Sequence, residues 1–257
     1  MQISLAGRTA VITGGSKGIG LAMAKRFVQS GAEVAMVARG REALAQAVAQ
    51  IGPAGGRVVG IAADVGVAAD VARAYEEAMA AFGRIDIVVN NAGTSRNGTF
   101  ESISDETWQQ DLDLKLFAAI RLARLAWPQM KERRWGRIIN VLNIGAKAPL
   151  KGSAPTSVSR AAGMALTKVQ AHEGGPHNIL VNALLVGIIE SDQHVQSAAK
   201  AGIPVEDYLL QRTKDAPLGR PGRAEEFANM ACFLASDAGS YITGTAINVD
   251  GGRSPVV

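Results

Sequence analysis

Cysteine is nearly absent from the sequence, because Cys232 is the only one among 257 residues. A lone cysteine excludes a disulfide within the chain and favours a reducing compartment. No apolar run approaches the roughly 20 residues that a membrane-spanning helix needs, and the first residues lack the charged-then-apolar order of a signal peptide. These absences predict a cytoplasmic protein that has no membrane partner.

Aromatic residues are also scarce, at 5% of the chain, and the net charge is only +4. The basic residues are scattered except for the short run 131–137, and no aromatic or basic stripe accompanies that run. The pattern is typical of a solvated helix end, so no nucleic-acid partner is expected. His172 and His177 are too scattered for a metal site, and no metal is predicted.

Short Val/Ile/Ala runs are abundant, and helix-length segments such as 19–31 and 42–51 separate them. The runs are continuous rather than alternating, which is typical of parallel strands covered on both faces. The candidate strands are 9–14, 33–38, 57–64, 85–93, 137–143, 179–187 and 245–252. The alternation predicts one α/β domain over 1–257, a Rossmann-type doubly wound sheet of seven parallel strands with helices on both faces. Residues 188–216 are weakly periodic and polar, which suggests a mobile cover over a site.

The segment TGGSKGIG (13–20) follows the first strand and opens a helix. In that position Gly14 permits a tight turn, while Gly18 and Gly20 let the backbone approach a pyrophosphate. The amino terminus of the helix adds free N–H groups and partial positive charge. A simple tight turn is the alternative interpretation of the same glycines.

The end of the second strand indicates which dinucleotide binds. An NAD site needs an acidic residue there for the ribose hydroxyls, whereas this chain has Ala38 followed by Arg39. Lys17 adds a second cation within the glycine loop. Because guanidinium and ammonium groups bind a 2′-phosphate, NADP(H) is predicted over NAD(H).

Four motifs in order, TGGSKGIG, ADV (63–65), NNAG (90–93) and the tail 218–252, resemble the short-chain dehydrogenase/reductase family. The similarity covers nearly the whole chain and is greatest to the acyl-carrier-protein ketoreductase branch. It implies a homotetramer, or a dimer, with contacts from Ala161, Ala162, Ala165 and the carboxyl-terminal segment. It also implies a set of cofactor-binding residues: Gly14, Ser16, Lys17, Gly18, Ile19, Gly20, Arg39, Asp64, Val65, Asn91, Ala92, Gly93, Arg160, Gly187, Ile189 and Ser191.

The same resemblance locates the family's four catalytic residues, an asparagine, a serine, a tyrosine and a lysine. The matching positions in this chain are Lys115, Asn143, Thr156 and Arg160, so all four are replaced. Thr156 is far too weak an acid to replace a tyrosine whose pKa is about 10. Asn143 offers N–H donors to a developing oxyanion, and Arg160 keeps the positive charge for the ribose.

We hypothesise that Lys115 replaces the missing acid, with Asn143 and Thr156 orienting the substrate oxygen. The alternative is that Lys115 reaches solvent or pairs with Asp111 or Asp113. His194 and Tyr208, in the expected cover, are further candidate donors.

Three functions are consistent with the sequence. The first is an NADP(H)-dependent oxidoreductase that acts on a small ketone, aldehyde or alcohol through an altered proton relay. The second is an NADP(H)-binding sensor or inactive partner subunit. A non-redox enzyme on the same fold ranks last, because the glycine loop is intact.

Overall fold

The computed structural model describes residues 3–52 and 56–257. Its strands are β1 (Thr9–Thr13), β2 (Glu33–Ala38), β3 (Val58–Ala62), β4 (Ile87–Asn90), β5 (Asn97–Gly98), β6 (Gly136–Asn143), β7 (Ala154–Pro155), β8 (Ile179–Val186) and β9 (Ala246–Val249). Its α-helices are α1 (Gly18–Gln29), α2 (Arg41–Ile51), α3 (Ala68–Phe82), α4 (Asp105–Leu112), α5 (Ala118–Arg133), α6 (Thr156–Gly174), α7 (Asp192–Ala201), α8 (Val205–Thr213) and α9 (Ala224–Ala235). A π-helical turn, Asp113–Phe117, joins α4 to α5.

The main sheet of the described chain has seven parallel strands in the order β3-β2-β1-β4-β6-β8-β9. The register is continuous across its centre, where Val11 lies between Ala35 of β2 and Val88 of β4. The strand order reverses between β1 and β4, so the ends of these strands splay apart into a crevice.

Two apolar cores cover the faces of the sheet. One includes Met23 and Phe27 of α1 and Phe227 of α9, all 0% exposed. The other includes Leu122 and Met130 of α5, together with small residues of α3. Because both faces are covered, continuous apolar strands are stable here, and the predicted doubly wound fold is confirmed.

A short antiparallel ribbon, β5 with β7, lies outside the main sheet. It pairs Asn97 with Pro155 and Gly98 with Ala154. The ribbon holds the loop after β4 against the first turn of α6. This contact brings together residues that are about sixty positions apart in the chain.

Three expected strands prove clearly shorter than the apolar pattern suggested, and the first of them, 57–64, is a strand only over β3. The run 85–93 is a strand only over β4, because residues 91–93 turn away into the crevice, and 245–252 is a strand only over β9. The expected cover, 188–216, contains α7 and α8, and Gly202 ends α7 with a φ of 69°. Its mobility stays a prediction. Among the described helices, none combines the length and apolar character that spanning a membrane requires.

Candidate functional site

A crevice of ≈ 750 Å³ runs along the carboxyl ends of the central strands, at the position where the strand order reverses. Its wall is formed by the glycine loop, the ends of β2, β6 and β8, the loops after β2, β3, β4 and β8, the starts of α2 and α6, and one residue each of the π-helical turn and α7. The lining residues are Gly14, Ser16, Lys17, Gly18, Ile19, Gly20, Val37, Ala38, Arg39, Gly40, Ala43, Ala63, Asp64, Val65, Asn91, Ala92, Gly93, Thr94, Ser95, Leu114, Val141, Leu142, Asn143, Thr156, Arg160, Val186, Ser191 and Gln196.

The glycine loop lines the crevice. A Cβ on Gly20 would lie 2.1 Å from the carbonyl oxygen of Gly14, so the loop and the first turn of α1 pack too closely for any side chain there. Lys17, the N-cap residue of α1, makes no side-chain capping hydrogen bond. The first turn of the helix therefore presents its N–H groups to the crevice, as a pyrophosphate site requires.

Asn91, directly after β4, forms hydrogen bonds with the glycine loop. Its Nδ2 donates to the carbonyl oxygens of Thr13 (2.9 Å) and Gly14 (3.2 Å). The backbone N–H groups of Asn91 and Ala92 both donate to Thr13 Oγ1 at 3.0 Å. These hydrogen bonds hold the glycine loop against the end of β4 at the switch point of the sheet.

One end of the crevice is marked by exposed cations. Lys17 and Arg39 line it and are both exposed. Asp64 is the one carboxylate among the described lining residues, and its Oδ1 accepts from the backbone N–H of Gly66 (2.9 Å). A ligand phosphate near Arg39 would therefore meet positive charge without a carboxylate on the same loop.

The other end contains a buried guanidinium. Arg160 is 9% exposed and donates from Nη1 to the carbonyl oxygen of Val141 (2.9 Å). Its Nη2 lies 2.4 Å from the position of a Cβ on Gly93, so a side chain at residue 93 would displace the guanidinium. Within the described residues, no carboxylate approaches this guanidinium within 4.0 Å. Burial lowers the pKa of Arg160 to about 10, so it remains charged at neutral pH.

Lys115 lies behind this end of the crevice, in the π-helical turn, with its side chain fully buried. Its Nζ donates to Asp111 Oδ1 and to Thr156 Oγ1 (2.8 Å). The pKa of Lys115 is lowered to about 8, chiefly by burial and also by the charges of Arg160 and Arg96, while Asp111 opposes these effects. Lys115 therefore does not extend to solvent, and of the two expected carboxylate partners it is Asp111 that pairs with it.

Thr156 stands between Lys115 and the crevice, which it lines. Its hydroxyl donates to the carbonyl oxygen of Arg96 (2.7 Å) and accepts from the backbone N–H of the same residue (3.0 Å). With the bond from Lys115, the one donor and two acceptor positions of the hydroxyl are all used. To orient a substrate oxygen, Thr156 must give up one of these three hydrogen bonds. This role of Thr156 stays a prediction.

Asn143 ends β6 and lines the crevice beside Arg160. Its Oδ1 is buried and has no hydrogen-bond partner within the described chain. A buried carbonyl oxygen without a partner costs about 1–3 kcal/mol. A bound hydroxyl or amide group would remove that cost, so the amide is suited to holding a polar ligand.

The structure brings most of the expected site residues together. Lys115 is behind the wall rather than in it, Gly187 packs against Asp250, and Ile189 is buried beside Gly222. The cofactor contacts of Gly187 and Ile189 stay predictions. His194 and Tyr208 lie in the cover with ring centroids 6.0 Å apart, and neither lines the crevice in the described structure.

Sequence reasoning missed several lining residues, among them Leu114, Thr94, Ser95 and Gln196. Thr94 and Ser95 directly follow the NNAG segment, so extending that segment would have found them. It also left the partner of Lys115 undecided, although Asp111 stands four residues before Lys115. That spacing puts two side chains on one helix face, and would have favoured Asp111 over Asp113.

The arrangement can hold an elongated anionic ligand, with phosphates at the glycine loop and Arg39. It also offers a polar pocket of amide, hydroxyl and guanidinium groups at the far end. A proton donor, Lys115, lies one side chain behind that pocket. The arrangement therefore suits a dinucleotide whose reactive end lies beside Asn143, Thr156 and Arg160.

Comparisons with known proteins agree with this geometry. A family model described as enoyl-(acyl carrier protein) reductase matches residues 14–254. The chain is 33% identical to a 3-oxoacyl-[acyl-carrier-protein] reductase of Aquifex aeolicus, over 98% of this chain and 99% of that protein. It is 34% identical to a short-chain reductase protein of Streptomyces niveus, over 95% and 93%. The structure of L-sorbose reductase from Gluconobacter frateurii, complexed with NADPH and L-sorbose, matches with a TM-score of 0.97 and 37% identity over 100% of both chains.

Proposed function

Since the chain belongs to the short-chain dehydrogenase/reductase family, we propose that it is an NADP(H)-dependent oxidoreductase acting on a small carbonyl or alcohol substrate. The observation that carries the proposal is the crevice itself. It joins a glycine loop with an uncapped helix end to a pocket that holds Asn143, Thr156 and Arg160.

The preference for NADP(H) follows from Lys17 and Arg39. Both are exposed, both line the crevice, and Ala38 stands where an acidic residue would repel a 2′-phosphate. The sorbose reductase that is 37% identical to this chain was crystallised with NADPH, which supports the same choice here.

The bound coenzyme would supply a hydride, so this chain must supply the proton for carbonyl reduction. We assign that proton to Lys115, the buried ammonium group behind Thr156. Asn143 orients the substrate oxygen through its amide, and Arg160 holds the coenzyme ribose with a charge it cannot give up. The four residues then replace the serine, tyrosine, lysine and asparagine of the family.

Calorimetric titration with NADPH, followed by an NADPH-consumption screen over ketones, aldehydes and quinones, tests the function. We expect binding and turnover of at least one class by the wild-type protein. Lys115→Met should abolish turnover and leave NADPH bound, whereas the exposed Lys131→Met should change neither. Unchanged turnover in Lys115→Met would refute the role of Lys115, and failure to bind any dinucleotide would refute the function.

A second function is an NADP(H)-binding sensor or inactive partner subunit. The observation in its favour is that the Thr156 hydroxyl already makes three hydrogen bonds and Lys115 is closed off from the crevice. Tight NADPH binding without turnover of any substrate class would support this function over the first.

A further inference from the structure

Three buried side chains form a continuous hydrogen-bonded chain that ends at the crevice. Asp111 accepts from Lys115, and Lys115 donates to Thr156 Oγ1 at 2.8 Å. Asp111 and Lys115 have no exposed side-chain surface, whereas Thr156 lines the crevice. Any proton that leaves Lys115 for the crevice therefore has Thr156 as the next group on its path.

Two further contacts fix the ends of this chain. Ser159 donates to the second carboxylate oxygen of Asp111 at 2.7 Å, so both oxygens of that carboxylate are held. At the other end, the backbone of Arg96 both donates to and accepts from the Thr156 hydroxyl. The oxygen of Thr156 is therefore fixed in position, while its hydrogen turns about a single C–O bond.

We propose that Thr156 delivers the proton to the substrate and that Asp111 is the positioning residue that keeps Lys115 charged beneath it, an inference that rests on the proposed oxidoreductase function. In carbonyl reduction the substrate carbon receives a hydride, and the C=O π electrons move to the substrate oxygen. That oxygen takes the proton of Thr156, and Thr156 takes a proton from Lys115 Nζ in the same step. Lys115 ends as a neutral amine beside Asp111. Because its side chain is fully buried, it recovers its proton along the same chain, through Thr156, from water that enters the crevice after the product leaves.

An aliphatic hydroxyl such as that of Thr156 is normally too weak an acid to protonate a substrate. Simultaneous proton transfer from Lys115 to Thr156 overcomes this weakness. Thr156 alone would have to become an alkoxide, which is far too unstable near neutral pH. Because Lys115 replaces the proton as it leaves, no alkoxide forms. For the transfer, the hydrogen of Thr156 must leave the Arg96 carbonyl oxygen and turn toward the crevice, while the Arg96 N–H still holds the Thr156 oxygen.

Asp111 is needed because the surroundings of Lys115 disfavour its charge. Burial acts against the ammonium form, and the guanidinium groups of Arg160 and Arg96 add to the effect. Asp111 is the one described carboxylate that contacts Lys115. Without it, the pKa of Lys115 would be lower, and less of the protein would carry the proton to pass on.

A pair of variants at Thr156 tests the relay. Thr156→Ser keeps the hydroxyl and should retain kcat/KM within about tenfold, whereas Thr156→Val keeps the shape and should lose about 10²–10⁴-fold. NADPH affinity, measured by titration, should be unchanged in both. A proton inventory of the wild-type rate in H₂O and D₂O should show two protons in motion.

A second pair of variants tests Asp111. In Asp111→Asn the alkaline fall of kcat/KM should move to lower pH, while the NADPH affinity of the folded protein is unchanged. Asp113→Asn, whose carboxylate is partly exposed and pairs with Arg121, should leave the pH profile as in the wild type. An unaltered pH profile in folded Asp111→Asn would overturn the positioning role.

The outcomes separate the relay from the function. A wild-type protein that reduces a carbonyl, together with a Thr156→Val variant of equal kcat/KM, would overturn the relay and leave the oxidoreductase function intact. A wild-type protein that binds NADPH and reduces nothing would overturn both.

Discussion

Lys115 holds its ammonium group in a fully buried position, where burial lowers its pKa to about 8 from an ordinary value of about 10.4. Carbonyl reduction requires the protonated form, which is present below this pKa and lost as the pH rises through it. We therefore expect log kcat/KM for reduction to be level near pH 7 and to fall above about pH 8. Alcohol oxidation should show the opposite dependence. A reduction rate that stays constant to pH 10 would contradict the assignment of Lys115.

We attribute the preference for NADP(H) over NAD(H) to the guanidinium of Arg39. Replacing Arg39 by Ser removes a guanidinium from the end of the crevice that would hold the 2′-phosphate. We expect NADPH affinity to fall about tenfold and NADH affinity to be unchanged, because only the phosphate loses a charged hydrogen bond. The neighbouring Arg41→Ser, outside the crevice and exposed, is the matched control. Equal losses for NADPH and NADH would count against 2′-phosphate recognition by Arg39.

At the scale of elements, the glycine loop packs directly against the first turn of α1 because Gly20 has no side chain. In Gly20→Ala the new Cβ would lie 2.1 Å from the Gly14 carbonyl oxygen, so the loop must move. We expect loss of NADPH binding and a lower unfolding temperature. Gly83→Ala is the control: Gly83 ends α3 with a φ of 75° and open space around it, so it should lose only about 1 kcal/mol of stability. Unchanged NADPH binding in Gly20→Ala would show that the loop does not contact the coenzyme.

The strands could be predicted from the sequence and the cover helices could not, for a physical reason. β1, β2, β6 and β8 are buried on both faces, so their continuous apolar runs are visible in the sequence. Few of the described residues of α7 and α8 are buried, and Gly202 and Pro204 lie between the two helices, so this polar segment looked like an irregular connection in the sequence. The run 85–93 was expected as one strand because no strong turn signal separates Asn90 from the residues that follow it, whereas the chain leaves the sheet there.

The hydrogen bonds between Thr156 and Arg96 could not be predicted from the sequence either. Thr156 and Arg96 are sixty residues apart, and the contact depends on the β5–β7 ribbon, whose strands have two residues each. No periodic signal marks such short strands. Thr156 and Lys115 could be identified as replacements by resemblance, but the hydrogen bond between them is visible only in the folded chain.

At the scale of the whole molecule, α6 exposes an apolar stripe opposite its buried face. Val158 and Val169 are 51% and 54% exposed and lie three turns apart, and Ala161 and Ala165 lie exposed between them. We propose that this stripe contacts a second copy of the chain in a homotetramer or a dimer, since small exposed residues allow close helix packing.

Adding charge to the stripe tests that contact. The double variant Val158→Glu with Val169→Glu should elute as a monomer in size-exclusion chromatography with light scattering, because two carboxylates would be buried at each contact. Ala45→Glu with Ala49→Glu on exposed positions of α2 is the control and should keep the wild-type mass. A wild-type protein that is itself monomeric would exclude the assembly.

The central claim is that NADPH lies across this crevice and gives its hydride to a carbonyl. The most direct measurement uses NADPH that carries deuterium at the position of the transferred hydride. The wild-type protein is incubated with this coenzyme and a panel of carbonyl compounds, and the masses of the products are determined by mass spectrometry. We predict an alcohol that carries one deuterium. Bound NADPH that keeps all of its deuterium in the presence of every compound would contradict the claim.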